Sequence, residues 1–289
     1  MKKILVIGSN GQLGNCFKKL ATDFENRFEF NFADSKDLDI TNHGAVEVFF
    51  EDYKPDFCIN AAAYTAVDLA EKEPEKAFAV NAEGVANVAE TCKTSKTVLI
   101  HISTDYVFDG ESNISYSEDN FTNPQGVYGA SKLKGEELAL ENNPRSIIIR
   151  TSWLYSEFNK NFVKTMLNLF STKEELGIVA DQFGQPTNAN DLANAVMKII
   201  ESDPKTFGIF HFSNYPETNW FDFASKIAEL SDSKIKLKAI TTEEFPTPAK
   251  RPKRSTMALD KIEQVYGIEP IHWEHSLQDC IETLATINE

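Results

Sequence analysis

The 289-residue sequence predicts an α/β protein, a doubly wound parallel sheet followed by a smaller C-terminal α/β lobe. Three observations carry this. Apolar, β-branched-rich runs alternate with segments of helical spacing through the first half of the chain. Those runs are apolar at successive positions, as in Ile4-Leu5-Val6-Ile7 and Ile147-Ile148-Ile149, which strands covered by helices on both faces require. After Arg150 the alternation becomes irregular, so a unit of different construction follows.

Taken in order, strands are expected at 3–7, 28–32, 57–61, 98–103 and 146–150, with helices at 13–24, 42–53, 74–94 and 127–140 between them. Strand–helix–strand order implies right-handed crossovers and parallel pairing. Beyond Arg150, helices are expected at 161–170, 190–201, 220–231 and 275–287, and short strands at 178–180 and 208–213. Pro and Thr cluster over 241–252, which reads as a long ordered loop or a flap.

Composition removes several classes of function. A net charge of −15 argues against nucleic acid or an anionic membrane as partner. No run of about 18 apolar residues suggests a membrane span. Met1-Lys2-Lys3 leads straight into a strand and a glycine turn, unlike a secretory signal. The four cysteines, Cys16, Cys58, Cys92 and Cys280, lack metal-site spacing and read as buried thiols of a reducing cytoplasm. A cytoplasmic protein is expected.

Gly8, Gly11 and Gly14 follow the first strand and open the first helix. A phosphate there would meet backbone N–H groups and the positive end of the helix dipole, and side chains would block its approach. The spacing is GxxGxxG rather than GxGxxG, and a plain strand-to-helix turn is the bland alternative. Its place directly after the first strand favours a dinucleotide, hence a Rossmann-type sheet. Residues 1–150, plus interleaved parts of 178–212, then form a dinucleotide-binding domain. Residues 151–289, approximately 151–177 and 213–289, form a substrate-binding lobe. Asp34 stands 20 residues after Gly14, where a second-strand carboxylate can accept from an adenosine ribose. That tilts toward NADH, while Lys36 nearby weakens the tilt. Asp39 and Ile40, just before the capping candidate Thr41, either flank an adenine or form only a capping turn.

Tyr128 and Lys132 lie four apart and so share a helix face. A neighbouring ammonium is expected to lower the phenol pKa and ease proton transfer. An ordinary helix-surface pair has the same spacing. Thr104 closes the strand at 98–103, at the end of the sheet where ligands bind, and its hydroxyl can steady a developing alkoxide or simply form a turn. Lys250-Arg251-Pro252-Lys253-Arg254 concentrates four cations in an acidic chain, which suits a diphosphate or a solvated basic loop. His272 and His275 lack a third metal ligand and read as surface residues.

Three segments carry a resemblance: Ile102-Ser-Thr-Asp-Tyr-Val-Phe-Asp-Gly110, Tyr128-Gly-Ala-Ser-Lys132 after Asn123-Pro124, and Arg150-Thr-Ser-Trp-Leu-Tyr155. They are similar to the extended short-chain dehydrogenase/reductases, and within these to reductases of nucleotide sugars. Asn60-Ala-Ala-Ala-Tyr-Thr-Ala-Val-Asp68, Asp181-Gln-Phe-Gly-Gln-Pro-Thr187 and Arg251-Pro-Lys-Arg-Ser255 extend the match to nearly the whole chain. The resemblance implies NADPH- or NADH-dependent reduction of the 4-keto group of a dTDP-sugar, dTDP-4-dehydro-β-L-rhamnose. It implies Tyr128 as proton donor with Lys132 as partner, Thr104 and Asp105 on the sugar, Trp153 on the substrate and Arg251 on the diphosphate. It assigns Asn10, Gln12, Leu13, Asp39, Ile40, Ala62, Ala63, Tyr64 and Thr65 to the cofactor.

Where some family members carry metal-binding carboxylates, this chain has Asn15-Cys16 and Asn190, so no metal and no metal-linked dimer is expected. A homodimer of another kind stays open. So do two rivals: another nucleotide-sugar epimerase or dehydratase, and a non-catalytic dinucleotide-binding subunit resembling that of methionine adenosyltransferase.

Overall fold

The computed structural model describes residues 1–287. Its main sheet has six parallel strands. They are β1 (Lys2–Ile7), β2 (Phe28–Ala33), β3 (Phe57–Asn60), β4 (Val98–Thr104), β5 (Ser146–Thr151) and a sixth at Gly208–His211. The spatial order is Gly208–His211, β5, β4, β3, β1, β2, so the chain turns back at β1. The crevice between β1 and β3, where crossovers leave to opposite sides, is where such sheets take ligands. The glycine turn sits there.

Both faces of the sheet are covered, as the continuous apolar strands require. On one face β1, β3, β4 and β5 pack Ile4, Ile59, Ile100 and Ile149 against α1 (Gln12–Ala21) and helix Ala189–Glu201. On the other, Leu5, Cys58, Leu99 and Ile148 pack against α2 (His43–Tyr53), helix Gly84–Thr94 and helix Val127–Asn142. A separate core of Tyr155, Phe223, Trp273 and Leu277 joins helices Phe162–Phe170, Trp220–Leu230 and Trp273–Ile287. Strand Gly208–His211 and helix Ala189–Glu201 return to the first sheet, so the second half is interleaved with the first.

Four details differ from the sequence expectation. The helix expected at 13–24 ends at Ala21 and tightens into a 3₁₀ turn, Thr22–Phe24. Helix α2 is capped by Asn42, not Thr41: Asn42 Oδ1 accepts from Ala45 N at 3.2 Å, while the Thr41 hydroxyl is taken by Asp39. The single helix expected at 74–94 is Pro74–Phe78 and Gly84–Thr94 joined by a π-turn, Ala79–Glu83. The strand expected at 178–180 is Glu175–Val179, and it pairs in parallel with an unanticipated strand, Lys236–Ile240. Positions 288 and 289 of the expected C-terminal lobe lie outside the described residues.

Candidate active site

The turn after β1 leaves room for little but backbone. Gly8 has φ +84°, and a Cβ there would lie 2.6 Å from Ala62 N. A Cβ on Gly14 would lie 2.5 Å from Gly8 O. The Gly8 and Ser9 N–H groups are already bonded to Ala33 O. Helix α1 begins after Gly11, which has no side chain to cap it, so the first N–H groups of the helix face outward for an anion. This cradle fits a dinucleotide phosphate. Gln12 and Leu13 offer it only backbone. The Gln12 side chain is tied to the second half, accepting from Ser156 Oγ at 3.2 Å and Asn161 Nδ2 at 3.0 Å. The Leu13 side chain is buried in the core.

A cavity of about 450 Å³ opens beside this turn. It brings together Gly8, Asn10, Gly11, Asp34, Asp39, Ile40, Ala62, Ala63 and Tyr64 from four separate segments of the expected cofactor set. Thr65 lies past its rim and is exposed. Asp34 sits at the end of β2, where it accepts from Lys36 N at 2.7 Å and from the Asn10 amide. The backbone N–H groups of Lys36 and Asp37 hold its carboxyl below the ordinary range. Lys36, Leu38, Thr41 and Val80 also line the cavity and were not in the expected set. The two basic or apolar neighbours of Asp34 could have been read from sequence; Val80 could not, because it arrives with the π-turn.

That π-turn has a visible purpose. Asn81 is fully buried, and its side chain bridges three elements. Its Oδ1 accepts from Tyr64 N at 2.8 Å, and its Nδ2 donates to Tyr64 O and to Ser131 Oγ, both at 3.0 Å. Ser131 in turn donates to Tyr128 O at 2.8 Å. The cofactor-facing loop after β3 and the helix bearing Tyr128 are thereby fixed to each other. Close approach is secured by glycines: a Cβ on Gly129 would lie 2.2 Å from Tyr106 O, and one on Gly135 2.0 Å from Asn81 O.

Thr104, Asp105, Tyr128 and Lys132 converge at the carboxyl ends of β4 and β5. Thr104 Oγ1 donates to Asp105 Oδ1 at 3.0 Å, accepts from Tyr106 N at 3.2 Å, and acts on the Tyr128 phenol to lower its pKa against burial. The Tyr106 and Tyr128 rings meet edge-on at 5.6 Å. Asp105 is buried, which pushes its carboxyl up to about 6, against hydrogen bonds from Ser255 and Thr104. Strand and helix periods match here. His101 and Ser103, two apart on β4, span about 6.7 Å, and Lys132 and Glu136, four apart on the helix, about 6 Å. His101 Nε2 therefore meets Lys132 Nζ at 3.2 Å while Ser103 Oγ donates to Glu136 Oε1 at 2.5 Å.

One expectation is corrected. Lys132 was expected to lower the pKa of Tyr128. Its Nζ instead turns to β4, donating to Ile102 O at 2.7 Å, and burial pushes the phenol up to about 12. Burial also brings Lys132 down to about 8, with Glu136 resisting. Both groups are therefore protonated at neutral pH. A phenol so raised holds its proton until a strong base, such as an alkoxide, forms beside it.

The remaining expected residues sit around this cluster. Trp153 has φ +46°, an uncommon backbone for a bulky residue, and stacks on Trp220 at 3.5 Å and 8°. Gly184 packs against the same indole, since a Cβ there would lie 2.8 Å from it. Trp220 was not anticipated; nothing local in the sequence marks it. Arg251 is held by Asp68 at 2.8 Å and acts electrostatically on Tyr106. The basic cluster is split: Lys250 Nζ donates to Gln125 Oε1 at 3.1 Å, and Arg254 Nε to Glu217 at 2.5 Å. Asn15 and Asn190 spend their amides locally, on Gly11 O and Glu157 Oε2, both at 2.8 Å.

A phosphate cradle at the switch point of a doubly wound parallel sheet, beside a helix bearing Tyr128 and Lys132, defines an extended short-chain dehydrogenase/reductase. More narrowly, the chain belongs to the family of the RmlD substrate binding domain, whose model matches residues 1–286. It is 43% identical to a dTDP-4-dehydrorhamnose reductase of Aggregatibacter actinomycetemcomitans, over 96% of this chain and 98% of the relative. The solved reductase of Clostridium acetobutylicum superposes with a TM-score of 0.94 at 43% identity, covering 98% of this chain and 99% of the other. That of Bacillus anthracis, in complex with NADP, superposes with a TM-score of 0.93 at 38% identity, covering 98% and 100%.

Proposed function

We propose that this protein reduces the 4-keto group of dTDP-4-dehydro-β-L-rhamnose to dTDP-β-L-rhamnose, using NADPH or NADH, in nucleotide-sugar synthesis for cell-surface polysaccharide. The supporting observation is the gathering of Thr104, Tyr128 and Lys132, with Tyr128 tied through Ser131 and Asn81 to Tyr64 in the wall of the cavity lined by Gly8, Asp34 and Ala62, in a chain so similar to named reductases. When bound, the nicotinamide supplies the hydride. Thr104 and Tyr128 hydrogen-bond the substrate oxygen and draw its charge as it builds. Tyr128 then gives that oxygen its proton. Lys132 holds a positive charge beneath the site, and solvent returns a proton to the phenolate that remains. Asp105, Trp153 and Arg251 bind the sugar nucleotide, and Asn10, Asp34, Asp39, Ile40, Ala62, Ala63, Tyr64 and Thr65 the cofactor.

In this reading residues 1–150, with parts of 178–212, hold the cofactor and the rest of the chain holds the sugar. Among the described residues no helix is long and apolar enough to cross a membrane. The four cysteines are buried and free, in keeping with work in a reducing cytoplasm. A homodimer would need contacts other than a carboxylate-bound metal. The deciding assay supplies the keto-sugar with NADPH and NADH in parallel. Stoichiometric loss of reduced-nicotinamide absorbance is expected, falling by orders of magnitude in Tyr128→Phe with cofactor binding retained. Sugar conversion with no net cofactor consumption would mark an epimerase instead.

A further inference from the structure

His101 is the polar interruption of an otherwise apolar strand interior, Val98-Leu99-Ile100-His101-Ile102. It is fully buried. Burial keeps the ring neutral, and the Lys132 charge beside it acts in the same direction. A neutral imidazole can accept at one nitrogen only. Because Lys132 Nζ is a donor with no acceptor capacity, the 3.2 Å contact fixes Nε2 as the accepting nitrogen and puts the ring proton on Nδ1. The partner of His101 across the sheet is Asn60, and Nδ1 closes no full hydrogen bond there. Lys132 is thus the side chain that accounts for a histidine at this position.

Lys132 in turn is 2% exposed, and two of its three protons are taken by Ile102 O and His101 Nε2. Neither of them takes the third. The titratable groups that act on the ammonium are Glu136 on its own helix and His101 on β4; Tyr128 stands one turn earlier on the helix, and Asp105, Tyr106 and Arg150 lie at the neighbouring ends of β4 and β5. Glu136 is already engaged by Arg150, at 2.7 Å, so it is a weak anchor for Lys132. That leaves the two β4 acceptors to hold the ammonium in place.

We infer that His101 is a positioning residue for the reduction: its imidazole accepts from Lys132 Nζ and holds that ammonium charged and aimed at the cofactor-facing side of the site. This rests on the reading of Lys132 as part of the catalytic cluster. Two substitutions separate positioning from packing. His101→Gln keeps an acceptor near the Nε2 position, whereas His101→Asn keeps polarity near Nδ1 and loses that acceptor.

The experiment follows the Lys132 side-chain resonance in protein labelled with ¹³C-lysine, assigned by its loss in Lys132→Met. A midpoint near 8 is expected in the native protein. In His101→Asn it should fall by about one pH unit, with kcat down roughly tenfold or more and the KM for the sugar nucleotide little changed. His101→Gln should restore most of both. An unmoved Lys132 midpoint and kcat in folded His101→Asn would overturn the inference, as would failure of folded His101→Gln to restore them. ¹⁵N-histidine spectra of the native protein supply a test that no folding defect can obscure. A proton on Nε2 of His101 sinks the proposal, and one on Nδ1 supports it. If Lys132→Met itself turns over normally, it is the role of Lys132 that fails, and the His101–Lys132 contact stands as structure alone.

Discussion

Asp68 receives both arms of the Arg251 guanidinium, Nη1 on Oδ1 at 3.1 Å and Nη2 on Oδ2 at 2.8 Å. The same carboxylate accepts from Ala249 N at 3.2 Å, so it ties the segment before Arg251 to the short helix that follows the cofactor loop. A paired fork of this kind suits a phosphate as well as a carboxylate. If Arg251 receives the substrate diphosphate, Asp68 competes with it. Arg251→Ala should raise the KM for the sugar nucleotide by about 10- to 100-fold with a smaller loss of kcat. Asp68→Asn keeps the shape, frees the guanidinium and should lower that KM. Steady-state kinetics of the two variants decide it, and a higher KM in Asp68→Asn would show that the carboxylate orients Arg251 rather than competing for it.

Two neighbours of opposite sign stand in the cavity beside the glycine turn. Asp34 and Lys36 line the same cavity, and Asp34 accepts from the backbone N–H of Lys36. A carboxylate suits ribose hydroxyls and repels a 2′-phosphate, while an ammonium attracts one. Asp34→Ser should shift the ratio of kcat/KM toward NADPH by about tenfold, and Lys36→Ala should shift it back toward NADH. Parallel assays with the two cofactors measure this directly.

These features differ in how far the sequence revealed them. The five leading strands were legible because burial on both faces demands runs such as Ile4–Ile7, and a run needs no partner to be seen. Strand Lys236–Ile240 was not, because it is a largely exposed edge whose lysines read as loop. The π-turn was invisible, since one extra residue per turn leaves composition and approximate spacing unchanged. That Tyr128 and Lys132 share a helix face followed from four-residue spacing, their singling out needed the motifs around them, and the sign of the Tyr128 shift was not legible at all. That sign depends on how deeply the phenol is buried and on where Lys132 Nζ turns, both tertiary facts. Trp220 stacking on Trp153 depends on the packing of the second core and leaves no local trace.

The Glu136–Arg150 pair anchors the helix bearing Tyr128 and Lys132 to β5. Both side chains are 2% exposed, and Arg150 Nε also reaches Glu136 at 3.0 Å. Removing one charge leaves the other buried without its counter-charge. Glu136→Gln should therefore cost about 3–5 kcal/mol of stability, and the double change Glu136→Gln with Arg150→Met should cost less than the sum of the two single changes. Urea unfolding curves with matched slopes supply the comparison.

Asp105 has an acid–base consequence whose sign follows from its burial. Its folded-state pKa is raised to about 6 from the ordinary 3.8. Between those values the folded protein binds more protons at this site than the unfolded chain, so stability falls as pH rises through the window. Below the lower value the contribution is fully present, and above about 6 it is lost. A shift of about two units corresponds to roughly 3 kcal/mol at most. Asp105→Asn removes the cost of the buried charge. It should raise stability relative to the native protein by up to about 3 kcal/mol at pH 7.5 and by roughly half as much at pH 5. Urea denaturation at the two pH values reads it out. A gain of equal size at both would mean that Asp105 is not the group that titrates.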